Sequence, residues 1–284
     1  MQEPSLRTSR LAIAGGLAAV IVVGGAGFFF GRSTAPPPAE PVTVSSPTPQ
    51  PSPTSQPARM LDRADIISIA AQAADALASG EPLPEDVRAM ANRRFELALP
   101  FGCDGPAIES SQAPLRWRYD EGAEVLRLHV APTSWTPAEW DVGVNTPIEA
   151  VEGFWLARPW SSDAVCPARS PAAPAGTEPV TLPGQTLAVA QFFTGSDRRA
   201  ALRDDRPFET VQRVPLSQFD AARGFRLLLT GRIDRVPGGD PVRCIQPAGI
   251  EQRPICVVAV VLDEVRIENP IGSKVLATWP VSSD

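Results

Sequence analysis

Between Ser33 and Ala58 the chain reads STAPPPAEPVTVSSPTPQPSPTSQPA, with nine prolines among 26 residues. Proline removes a backbone donor and fixes φ, so this stretch joins neither helix nor sheet and favours an extended polyproline conformation. Whatever folds must therefore fold on one side of it or the other. At ~3.1 Å per residue it reaches roughly 80 Å when fully extended. Residues 32–58 are thus expected to be a disordered, Pro-rich linker, a solvated tether that spaces its two ends apart.

The segment before it is of the opposite kind. Leu11 to Phe30 are twenty uncharged and almost wholly apolar residues, the length a helix needs to cross a ~30 Å hydrocarbon layer. Arg7 and Arg10 precede the run against a single Glu3, and only Arg32 follows before Glu40. The basic bias puts residues 1–10 in the cytoplasm as a short tail, makes 11–31 a transmembrane helix, and sends the rest outward. A cleaved signal peptide is the rival reading, with a small-x-small site at Ser33-Thr34-Ala35, but Pro36 disfavours the cut. No cysteine lies near the run, which excludes a lipid-modified cysteine anchor. Paired small residues within it (Gly15-Gly16 and GGAG) allow close helix approach, a weak signal for dimerisation. The expected location is a bacterial inner membrane, single-pass, with a C-terminal periplasmic domain.

Four cysteines, Cys103, Cys166, Cys244 and Cys256, all fall on the outer side. An even count in an oxidising compartment implies two disulfides, and four cysteines allow three pairings. The turn-rich IQPAGIEQRPI between Cys244 and Cys256 favours pairing those two, leaving Cys103 with Cys166. No C-x-x-C spacing supports zinc, and no metal or cofactor is expected. From Arg59 onward there are 23 basic and 30 acidic residues, a net −7 that argues against nucleic acid as a partner. Lys274 is the only lysine.

Residues 59–93 are expected to be a short helical segment. Leu61 to Ser79 carries Ile66, Ala70, Ala73 and Leu77 at helical spacing, with Asp62 as cap and Gly80 as stop. A second helix is expected from Pro84 to Arg93. At Arg94 the period changes to two: FELALPF, LRWRYDEGAEVLRLHV, TLAVAQFFT, FETVQRV, GFRLLLTGRIDRV, RPICVVAVVLDEVRIEN and KVLATWP read as strands. The apolar parity slips at Asp263-Glu264, as a bulge requires. The fold class is therefore α+β, a mainly β disulfide-bonded domain over 94–284 after two short helices, with Ala168 to Pro183 expected to divide its sheet region into two halves.

Chemistry is sparsely signalled. His129 is the only histidine, so serine–histidine triads and multi-histidine metal sites are impossible within one chain; beside Arg127 it reads as a solvated strand residue. Trp135, Trp140, Trp155 and Trp160 have Glu139, Asp141, Glu149 and Glu152 between them. Indole faces beside carboxylates can form a sugar groove, and paired carboxylates can hydrolyse glycosides. The same aromatics serve equally as core. EGFWLARPW concentrates aromatics around Arg158 and Pro159, making Trp155, Arg158 and Trp160 the candidate binding surface. The loop GSDRRAALRDDRPF alternates Arg198, Arg199, Arg203 and Arg206 with Asp197, Asp204 and Asp205, so it reads as self-paired. No catalytic residue is assigned. The expected role is binding or scaffolding in the cell envelope, with an envelope protein or cell-wall component as partner. A periplasmic hydrolase acting on cell-wall carbohydrate through the tryptophan-segment carboxylates is the alternative.

Overall fold

The structure, a computed structural model, describes residues 59–140, 147–167, 185–195 and 206–281. The expected 11–31 span and 32–58 linker lie outside them, and among the described residues no helix is long and apolar enough to cross a membrane. The described residues are mainly β. Helix α1 (Arg63–Ser79) starts on a capping box: Asp62 accepts from the Ala64 and Asp65 amides, and Asp65 accepts from the Asp62 amide. It stops at Gly80, whose φ of 70° is the left-handed conformation that glycine adopts without a Cβ clash. Its buried stripe is Arg63, Ile66, Ile69, Ala70, Ala73 and Ala76. Leu77, expected in that stripe, is exposed instead. The second helix, α2, is only Glu85–Arg88, with Pro84 as N-cap rather than first residue. It ends early because Asn92 turns left-handed, at φ 66°, and gives its amide to Ile233 O.

Eleven strands follow among the described residues. β1 (Arg94–Phe101), β8 (Phe225–Ile233), β10 (Ile255–Asn269), β6 (Leu187–Thr194), β5 (Ile148–Trp155) and β4 (Thr133–Trp135) form one sheet in that order, and β9 (Val242–Ile245) and β11 (Lys274–Pro280) also pair β10. β2 (Leu115–Asp120), β3 (Val125–Val130) and β7 (Phe208–Arg213) make a second, three-stranded sheet. β10 is fifteen residues long and is shared. Cys256–Ala259 pair in parallel with β6 and, through Val258, antiparallel with β9. From Val260 onward β8 takes over, and from Glu264 β11. The register slips between Leu262 and Glu264, where the parity of the sequence slips. There the Leu262 amide is held by Gln191 Oε1 at 2.7 Å, a side chain substituting for a ladder partner.

The expected division at residues 168–183 does not hold. β5 and β6, on either side of that segment, are antiparallel neighbours from Ile148↔Thr194 to Trp155↔Ala188.

One face of the large sheet carries the main core: Phe95, Leu97 and Leu99 of β1, Leu227 and Leu229 of β8, and Val258, Val260 and Val265 of β10 are buried with the apolar stripe of α1 and with Leu126, Leu128 and Trp117 of the small sheet. The opposite face is covered in two ways. Around β5, β6 and β10 a smaller cluster gathers Val151, Ala188, Val257 and Ala259 under Trp140. Along β8 and β10 an ion-pair ladder takes its place, in which Glu268 accepts from Arg226 Nη2 at 3.2 Å and stands in an ion pair with Arg266 Nε at 3.1 Å. Both disulfides expected from the sequence are present, Cys103–Cys166 and Cys244–Cys256. The second joins residues directly opposite each other on β9 and β10. Such bonds are compatible with an oxidising compartment, periplasmic or extracellular.

Candidate functional site

The sheet places three strands between β1 and β5, yet the residues that follow each of them meet. Leu99 to Asp104, Leu115, Trp155 to Arg158, Trp160 and Gln185 line one cavity of about 660 Å³. Trp155, Arg158 and Trp160, the residues singled out in the sequence, all stand in this lining.

Backbone pairing does not close this seam among the described residues; side chains do. Cys103, just past β1, is bonded to Cys166. Arg63, in the first turn of α1, is 3% exposed and its guanidinium reaches into the loop after β5. Nε donates to Ser161 O at 2.9 Å, and Nη2 to Ala157 O at 2.5 Å and Arg158 O at 3.1 Å. Nη1 reaches Ala98 O of β1 at 3.4 Å. A planar donor fork suits several carbonyls at once, where a lysine would offer a single point. Burial pulls the Arg63 guanidinium below the usual arginine range, the nearby charge of Arg158 adds to this, and Asp163 opposes both.

Arg158 has a φ of 54°, a left-handed backbone that a non-glycine residue adopts at a cost of about 1–2 kcal/mol. Its Nη2 donates to Val165 O at 2.7 Å, so its charge meets a carbonyl rather than a carboxylate there. Trp160 stands 63% exposed two residues later. Trp155 is half-buried and packs edge-to-face on Trp135, with centroids 5.2 Å apart. On the other wall, Gly102 has a φ of 66°, and a Cβ there would come within 2.2 Å of the Trp117 ring. Trp117 Nε1 donates to Gly102 O at 3.2 Å.

The four carboxylates of the tryptophan segment have separate fates. Glu139 is exposed at the end of a 3-10 turn, Glu149 is exposed at the register shift of β5, and Glu152 is buried on the main-core face opposite Gln191. Asp141 lies outside the described residues, as do residues 196–205 of the arginine-rich loop. Trp140 is fully buried and belongs to the smaller core cluster. His129 sits on the outer face of β3 and pairs with Glu209. No group of acidic, histidine or cysteine side chains among the described residues could hold a metal ion.

Arg63 is the residue that sequence reasoning missed. Its signal was present: it occupies the apolar stripe of α1, three residues before Ile66. A charged residue at such a position needs a buried partner.

No protein-family model, curated protein or solved structure matches the chain.

Proposed function

We propose that the chain is a membrane-anchored protein of the bacterial cell envelope whose outer domain binds an envelope component through Trp155, Arg158 and Trp160. The observation that carries this reading is the exposure of Trp160 at 63% on a loop secured by Arg63 and the Cys103–Cys166 bond. A large indole left in water costs free energy, and rigid, exposed tryptophan beside arginine is the composition of binding hot spots. Securing the loop in advance lowers the ordering cost on association.

Crosslinking full-length protein in its own membranes tests the proposal. Wild type should yield a defined adduct that Trp160→Ala loses, while the urea midpoint stays put because an exposed side chain carries little stability. An adduct unaffected by Trp160→Ala and Arg158→Ala would overturn it. The hydrolase reading has weaker support, since Glu139 is the only carboxylate among the described residues lining the aromatic groove beyond Trp155.

A further inference from the structure

On its other side Trp155 lines a second cavity, of about 610 Å³, together with Trp135, Trp140, Glu139, Arg243 and Ile255. We infer that this groove binds a glycan strand built of uncharged sugar rings. The inference rests on the envelope-binding reading above and names its ligand class.

Two observations converge. Trp135 and Trp155 meet at 76°, so the groove offers indole surface in two nearly perpendicular planes. Sugar rings are amphipathic in the complementary sense: their C–H faces pack on indole while their hydroxyls point sideways to polar groups. The polar lining carries both signs of charge: the exposed Glu139 carboxylate makes no hydrogen bond or ion pair among the described residues, and Arg243 stands in the same lining.

Charge then selects the ligand. A cation in the groove would meet Arg243 and an anion would meet Glu139. A neutral polyol satisfies both, its hydroxyls donating to the carboxylate and accepting from the guanidinium. A lining of apolar and aromatic side chains with a few polar groups, as here, is the usual make-up of a small-ligand site. Because Trp155 lines both cavities, a strand of several rings can continue from this groove toward Arg158 and Trp160.

The test uses full-length protein in detergent micelles, titrated with chitotetraose and cellotetraose and followed by tryptophan fluorescence. At least one should bind, and Glu139→Ala and Arg243→Gln should each weaken it about tenfold, the scale of one lost charged hydrogen bond. Circular dichroism should show both variants folded. Ile108→Ser, at an exposed residue that lines neither cavity, should leave the affinity unchanged. No fluorescence change with either sugar up to about 10 mM, or binding that both groove variants leave intact, would overturn the inference. An adduct lost in Trp160→Ala together with no sugar binding removes the glycan and keeps the binding surface. Sugar binding with an unaltered adduct removes the Trp160 surface instead.

Discussion

Arg63 donates its Nη2 to the carbonyl oxygen of Arg158 across 3.1 Å, although the charge of Arg158 opposes its own. A buried cation held against a like charge persists only where its hydrogen bonds cannot be made another way. Removing it should leave the carbonyls of Ala157, Arg158 and Ser161 without this donor. Arg63→Met is therefore expected to cost about 3 kcal/mol in urea denaturation, the range for breaking a buried charged network. Arg63→Lys should recover less than half of that, because one ammonium cannot serve carbonyls spread over several residues.

The left-handed backbone of Arg158 separates its two roles. Arg158→Gly and Arg158→Ala both remove the guanidinium, but only glycine accepts a φ of 54° without strain. Glycine should be the more stable variant by about 1 kcal/mol, and the two should be equally impaired in binding. Equal thermal midpoints would show that the loop relaxes out of this conformation.

The two disulfides close loops of different length, with sequence separations of 63 and 12. Loop-closure entropy then assigns about 4 kcal/mol to Cys103–Cys166 and about 3 kcal/mol to Cys244–Cys256. Paired serine substitutions should rank in that order by denaturant midpoint. Loss of the first pair alone should also reduce adduct formation through Trp160. Peptide mapping without reductant should return both pairs with no free thiol.

Asp65 gives the start of α1 an acid sensitivity. Burial raises its carboxyl, but the Arg59 side chain and the Asp62 amide outweigh that and hold it below the usual aspartate range. A carboxyl lowered by folding stabilises the fold above its unfolded value near pH 4, and that contribution fades as pH falls through the lower folded value. Asp65→Asn should therefore flatten the loss of stability below about pH 4 and lower stability at neutral pH. A variant that follows the wild-type curve at every pH would refute this.

The proposed topology is checked by reporter fusion. Alkaline phosphatase joined after Ala58 should be active and membrane-bound, because the arginine bias keeps residues 1–10 in the cytoplasm. A soluble product beginning near Pro36 would instead mean that the apolar run is removed.

Local signals carried far into this fold. Asp62 and Gly80 mark both ends of α1, the alternation in FELALPF marks β1, and the slip at Asp263-Glu264 marks the irregularity in β10. Trp155, Arg158 and Trp160 are close in sequence, so their nearness follows from chain connectivity, whereas the wall that β1 contributes to their cavity does not. What escaped is set by distant pairing. β4 and β9 have three and four residues, too few to display a period. The parallel contact of β6 with β10 depends on neither strand's own pattern. Arg63 looked like an ordinary surface cation, because three of its four carbonyl partners lie more than ninety residues away along the chain and the fourth lies 35 away.

The double allegiance of β10 sets an order of assembly. As the chain leaves the ribosome, β5 and β6 can pair and β1 and β8 can pair, but each pair keeps an open edge until residues 255–269 arrive to join them. Unpaired edges invite pairing with other chains, so the nascent protein passes through an interval in which it depends on being kept apart from its neighbours.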